Sequence, residues 1–470
     1  MTDAFEKKVA DIFPLLGRRI VTEVPYNDPM EYFNSIETGA EGDILLLGGD
    51  SVSGNGRFSI AAVKPLFTIS AEKGETLLKY GGETFTFRTS PEEVIDILHR
   101  HLPKEESSIP CFDGGLVFLL PYELNRRFEK LPARKNRAGE APLWCGMYAT
   151  VRIFDSLLSK AHDVSFTGEY PVSKDNNSAE QEQQYFISPF ECDESKADYI
   201  RKIKDIQSRI AEGDAYQVNL SRRLTALFEG SPLSLFRDLA IINPSSFGAY
   251  INGGDFHFIS MSPELFFRTE GNHITTKPIK GTSPRSEDPD IDAQNKNILK
   301  LSEKDKAENV MIVDLMRNDL SRICSPGSVK VSSLFNCESL PTVHHLVSTV
   351  EGELKNEISF PRIIRALFPG GSVTGAPKIK SMEIIQELET TPRGFYCGAL
   401  TCCGINGNIT ASILIRTLTI ANGKAEYRTG GGITAYSDPE QEFAETGYKA
   451  KVLLELQKKG DTQKCLEPTR

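Results

Sequence analysis

The sequence predicts an α+β protein in which large antiparallel β-sheets pack together and are flanked by helices. Two observations carry this. Apolar runs bounded by turn residues follow one another with no helix between them, as in "GDILLLGGD", "RFSIAAVKPLFTISA" and "GGLVFLLPY". Helical signals are scarcer and fall between groups of strands, whereas a doubly wound parallel sheet alternates strand with helix throughout. The chain has 470 residues, 39% of them hydrophobic, enough for two or three domains or one large composite core.

In the N-terminal part the best helix is "SPEEVIDILHRHL", with Ser90 as N-cap, Pro91 in the first turn and Glu93 closing a capping box. From Ser173 to Gln184, "SKDNNSAEQEQQ" has no apolar residue larger than alanine and reads as exposed. The organisation expected is therefore an N-terminal domain over 1–172, a connector over 173–194, a catalytic domain over 195–458 and a polar tail over 459–470. A helix begins near Ser195, with Tyr199, Ile203, Ile206 and Ile210 as its apolar stripe, and Gly213 ends it. Strands follow at "YQVNLSRRLTAL", "FGAYING", "FHFISMSPELFFRT" and "HITTKPI", then a long helix from Glu303 to Leu320. Two more strands, "ITASILIRTLTI" and "AEYRTGGGITA", precede a final helix from Asp438-Pro439 towards Gln457.

Net charge is −10, the opposite of a nucleic-acid-binding footprint. No apolar run is long enough for a membrane-spanning helix, and the N-terminus lacks a signal-peptide pattern. Nine cysteines, an odd number without C-x-x-C pairs, read as reduced thiols of a cytoplasmic protein.

Three constellations suggest chemistry. On "SEKDKAENVMIVDLMRNDLSR", Asp305 and Glu308 are three apart and share a helix face, and Glu442 and Glu445 repeat that spacing on the last helix. Such pairs fit a hard divalent cation, Mg²⁺ being the natural choice, or simply the charge preference of helix N-termini. Glycine-rich segments come second. Gly430, Gly431 and Gly432 read as a turn between a strand and the final helix, and "FPGGSVTGAPKIKSM" as a loop without the spacing of a nucleotide P-loop. Near them Arg416, inside the apolar strand "SILIRTL", needs a carboxylate from the protein or from a ligand. Third is Lys280 in "TTKPIKGTSPR", either a solvated charge or, if desolvated, a nucleophile. His344 and His345 have no acidic or cysteine neighbours at ligand spacing and read as a helix surface plus one packed ring.

Together these segments resemble the chorismate-utilising enzymes, a family that includes anthranilate synthase component I, the aminodeoxychorismate synthases, and the isochorismate and salicylate synthases. The resemblance covers about 195–456 through "GDAYQVNLSRR", "SPELFFR", "TTKPIKGTSPR", "ENVMIVDLMRNDLSR", "FPGGSVTGAPKIKSM", "ASILIRTL", "GGGITAYSDPEQEFAET" and "GYKA". The N-terminal half matches more weakly, through "GRFS" and "FDGGLVFLLPYELNRRFE". The resemblance implies that Glu308 and Glu445 bind Mg²⁺, with Asp305 and Glu442 ranked behind them around metal-bound water. It implies that Arg416, Tyr396, Lys449 and Gly430–Gly432 clamp the enolpyruvyl carboxylate, and that Glu264 is a general acid. Gly281, Thr282, His345 and Ser372 would line the same pocket.

Lys280 separates the family members. Anthranilate synthases resemble one another in carrying "PIAGT", and aminodeoxychorismate synthases carry "PIKGT", as here. The chemistry implied is a covalent Lys280 adduct at C2 of chorismate, followed by ammonia at C4, towards 4-aminobenzoate and folate. Gln217 stands where isochorismate and salicylate synthases are expected to have a water-activating lysine. Nothing in the chain resembles a glutaminase, so ammonia is expected from a separate glutamine amidotransferase subunit. The rival reading is anthranilate synthase component I.

Overall fold

The computed structural model describes all residues except 1, 37, 50–55, 133–138, 173–183, 341–342, 357 and 465–470, with no side chains described at 2 or 458–464. Its described strands form two antiparallel sheets, of thirteen and twelve strands, flanked by helices, as the sequence predicts. Each sheet is continuous across the two parts of the chain. In the first, Ile44–Leu47 pairs with Phe247–Asn252, and in the second Gly115–Leu120 pairs with Ala399–Gly404. Of the expected connector, residues 173–183 lie outside the described residues. Tyr185–Ile187 and Glu191–Cys192 then pair with the long strand Gln217–Gly230.

The largest core fills the space between the sheets, where Phe118, Phe258, Phe266 and Phe395 are buried together. A second core lies beneath the helices Pro29–Ser35 and Pro232–Ile242 on the outer face of the first sheet. The capped helices form where their signals stand. Ser90 and Glu93 close a reciprocal capping box on Pro91–His101, and Ser195 caps Lys196–Ala211, whose Tyr199, Ile203 and Ile206 are buried. The helix Glu303–Ser321 follows the expected span.

Five local expectations are corrected. The last helix is two, Pro439–Lys449 and Lys451–Lys464, because the chain tightens at Gly447, whose carbonyl accepts from the Ala450 N–H. "ITASILIRTLTI" is also two strands, Ile409–Ile413 in the second sheet and Thr417–Ala421 in the first. Arg416 lies in the crossing between them at a φ of 53°, not inside a strand. His344 and His345 are both buried on the strand Val343–Glu353, because strands on either side claim that segment's backbone groups.

Finally, Gly430–Gly432 do not form a turn. They sit within the strand Lys424–Thr434, opposite Ser221, Leu220 and Asn219. These positions need glycine for lack of space. A Cβ at Gly430 would stand 2.3 Å from the Leu220 carbonyl oxygen, which is backbone and cannot swing aside. Gly430→Ala is therefore expected to cost about 1–3 kcal/mol of stability, read as a lower urea midpoint at unchanged slope.

Candidate active site

The site forms where the chain changes sheets. The strand His257–Ser262 belongs to the first sheet and Leu265–Glu270 to the second, so Glu264 lies at a crossing. The crossing at Leu414–Arg416 runs alongside it. Ser262 Oγ donates to the Ile413 carbonyl at 2.5 Å, the Ile413 N–H donates to the Glu264 carbonyl at 3.1 Å, and the Met261 N–H donates to the Arg416 carbonyl at 3.0 Å. Glu264 and Arg416, far apart in sequence, are thus placed by one pair of corners.

Lys280 comes from the neighbouring strand Ile279–Pro284. Its Nζ donates to the Ser372 carbonyl at 3.2 Å, in the loop after the helix Phe360–Leu367. Some of its surface faces an open cleft, but the side chain runs deep into protein. Desolvation pushes its pKa below the ordinary lysine value, against the opposing pull of Glu308 and Glu264. Glu264 is buried and shifts the other way. Desolvation raises its carboxyl, while the Ser372 hydroxyl and Lys280 pull it down. Burial thus works against the charged form of each group, while each opposes that shift in the other. Oε1 of Glu264 and Oγ of Ser372 are buried without an aligned hydrogen-bond partner among the described residues.

Around this pair the expected pocket residues assemble. Thr282 Oγ1 lies 2.9 Å from His345 Nδ1, and burial together with nearby Arg416 lowers the His345 pKa to about 4, so the ring is neutral at physiological pH. Its Nε2 is buried and unpartnered. Gly281 has a φ of 83° and packs against the helix Glu303–Ser321. A Cβ there would meet Asp305 Cγ at 2.9 Å. Arg416 has no ion pair with a carboxylate among the described residues, and desolvation lowers its pKa. Tyr396 is buried, its ring 5.8 Å from the Arg393 guanidinium. A cavity of about 1040 Å³ also touches Tyr396, but its other walls include Lys424, Glu426 and Thr419, away from Lys280 and Glu264.

The four acidic residues lie on two helices that face the same cleft. The Gly431 Cβ position lies 3.2 Å from Glu442 Oε2 and 3.9 Å from Glu445 Oε1, so both carboxylates reach the glycine strand. Lys449 bonds Glu445 at 2.7 Å and the Gly430 carbonyl at 2.9 Å. Burial raises the pKa of Glu308 and Glu442, and Glu442 adds to the effect on Glu308, so acidic groups of the two helices act on one another. Burial would raise Glu445 as well, but Lys449 overrides it and the net shift is downward. Oxygen-only donors on two neighbouring helices fit a hard divalent cation such as Mg²⁺ in chemistry. In the present side-chain positions, lysines supply the positive charge. Lys304 Nζ is 3.8 Å from Glu442, and no three acidic, His or Cys side chains form a metal cage among the described residues.

Other buried groups belong to the site. The Gln217 amide has no partner at either end and lies against Gly432, whose Cβ position is 2.1 Å from Nε2. The Asn219 amide nitrogen is also unpartnered. Sequence alternation places both on the strand but cannot show that their amides go unsatisfied. Ser437, which donates to Glu442 at 2.7 Å, and Lys304 left no signal beyond ordinary turn and surface composition.

An amine, a carboxylic acid and a guanidinium are thus brought near one another where the chain crosses between two antiparallel sheets. Residues 50–455 match the family described as chorismate binding enzyme, and the chain belongs to that family. It is 38% identical over 421 residues to aminodeoxychorismate synthase component 1 of Salmonella typhimurium, covering 87% of this chain and 92% of that protein. To anthranilate synthase component 1 of Streptomyces coelicolor it is 34% identical, covering 76% of each. Among solved structures, anthranilate synthase component I of Streptococcus pneumoniae superposes with a TM-score of 0.73 at 29% identity, covering 84% of this chain and 91% of that one.

Proposed function

We propose that this chain is a cytoplasmic enzyme that aminates chorismate at C4, giving 4-amino-4-deoxychorismate for 4-aminobenzoate and folate synthesis. A separate glutamine amidotransferase subunit supplies the ammonia. The observation that carries the reading is Lys280, desolvated near the buried acid Glu264 with its amine on the Ser372 carbonyl. The name "component 1" of the Salmonella relative supports a partner subunit.

In this reading Arg416, Tyr396, Lys449 and the Gly430–Gly432 strand bind the enolpyruvyl carboxylate, while Gly281, Thr282, His345 and Ser372 wall the ring. Glu308 and Glu445, with Asp305 and Glu442 near them, would hold Mg²⁺, which would supply positive charge for the ring carboxylate. The neutral Lys280 amine forms a bond to C2. The ring double bonds shift towards C4, and the C4 hydroxyl leaves as water with the proton from Glu264. Ammonia then bonds to C4, the double bonds shift back, the C2–N bond breaks to return the lysine amine, and the new C4 ammonium gives a proton back to Glu264. The covalent adduct blocks direct attack at C2 and divides one hard displacement into two.

Anthranilate synthase component I is the second reading, favoured by the Streptomyces relative. Product identity separates the two. Purified protein with chorismate, Mg²⁺ and ammonium should yield 4-aminobenzoate only when an aminodeoxychorismate lyase is added. Fluorescent anthranilate in its place sinks the C4 reading. With free ammonia held constant, kcat/KM should be bell-shaped in pH, rising as Lys280 deprotonates below the ordinary lysine range and falling as Glu264 ionises. A profile that stays flat until pH reaches the ordinary lysine range would remove Lys280 from the reaction.

A further inference from the structure

Behind Lys280 lies a buried ionic cluster that the reaction does not use directly. Arg393 has a side chain 0% exposed, its ion-pair partner Glu389 is 2% exposed, and the Arg428 guanidinium stands 4.0 Å from the same carboxylate. Such a pair is a poor way to gain stability, because apolar residues of the same volume often do as well. Its geometry offers a different reason for its presence. Arg393 Nε donates to Glu389 Oε2 at 2.9 Å, and Nη2 donates to Glu389 Oε1 at 2.8 Å. Nη1 donates to the Val373 carbonyl at 2.9 Å, and Nη2 also donates to the Asn219 carbonyl at 2.7 Å.

One rigid plane therefore fixes three elements. Val373 is one peptide beyond Ser372, whose carbonyl accepts from Lys280 Nζ. Asn219 lies opposite Gly432 in the glycine strand, and its N–H donates to the Thr374 carbonyl at 2.8 Å. The guanidinium also lies 4.7 Å from the Tyr122 ring and 5.8 Å from the Tyr396 ring. The plane is itself held from behind. Glu389 accepts from the Ser221 N–H and hydroxyl at 2.8 Å each, and Glu123 accepts from the Arg393 and Gly394 N–H groups at 2.7 and 3.0 Å.

We propose that Arg393, oriented by Glu389, is a positioning residue that holds the Ser372–Val373 peptide, and with it the Ser372 carbonyl, against Lys280. The proposal rests on the reading of Lys280 as the reacting amine. A lysine at 393 keeps the charge but not the planar fork, so it cannot hold both carbonyls and the carboxylate together.

The test is Arg393→Lys, assayed for chorismate amination alongside wild type, with folded fraction followed by thermal melting. The expected result is a kcat lower by on the order of 100-fold, the cost of a small misplacement. KM for chorismate should stay within about twofold, and melting should show a folded protein. Guanidinium ion at tens of millimolar should restore part of the activity of Arg393→Ala, while leaving wild type unchanged. If Arg393→Lys does not fold, Ser221→Ala, which loosens Glu389 alone, should lower kcat without raising KM.

A variant with wild-type kcat overturns the proposal. So does a loss explained by the folded fraction, or one that appears only in KM. If wild type itself does not aminate chorismate at C4, the proposed function has failed and not the positioning.

Discussion

Lys280→Ala should lower formation of the 4-amino product by at least about a thousandfold, the scale of losing a nucleophile. Anthranilate should appear in its place. Lys280 is one of the groups that pull the Glu264 pKa down. Without the amine, burial raises Glu264 further, and the acid that protonates the leaving hydroxyl is kept. Arg416, His345 and the glycine strand are untouched, so chorismate still binds. The space once filled by the amine opens C2 to a small nucleophile, and ammonia is present. Product analysis by fluorescence and by coupled lyase assay measures both routes in one sample. Original product at the original rate would end the covalent reading. Loss of all turnover with chorismate still bound would show that Lys280 does more than block C2.

The fold and much of the site were legible because they rest on local chemistry. The capping box at Ser90, the stripe from Tyr199 to Ile206 and the paired acids at 305/308 and 442/445 are short-range patterns. What failed was anything decided by distant packing. Gly430–Gly432 read as a turn because glycine is usually chosen for its φ. Here it is required by the Leu220 carbonyl on the adjoining strand, which sequence spacing does not reveal. His344 and His345 carry no strand signature, and two neighbouring strands settle their conformation. Arg416 was rightly singled out as needing a partner, but its corner geometry appears only when both sheets exist. Arg393 was passed over altogether. An arginine between Pro392 and Gly394 reads as a solvated loop charge, and nothing local tells that four hydrogen bonds bury it.

Glu308→Gln and Glu445→Gln should each abolish turnover, by at least about a thousandfold at any practical Mg²⁺ concentration. A simpler role has to be set aside for Glu308, since it also acts on Lys280 and raises its pKa. Were that its whole contribution, removing the negative charge would lower the Lys280 pKa. More of the amine would then be neutral, the acid limb of the pH profile would move to lower pH, and the maximal rate would survive. Glu445 allows a parallel separation. Its loss frees Lys449, which keeps its bond to the Gly430 carbonyl, so the glycine strand retains that contact. A metal role predicts loss across the whole pH range in both variants. It predicts too that Mg²⁺ raises the melting temperature of wild type in a concentration-dependent way, and that neither variant shows the shift. A Glu308→Gln protein with wild-type kcat and a displaced acid limb would make Glu308 a tuner of the lysine. Wild-type rates in both variants would take Mg²⁺ away from these helices.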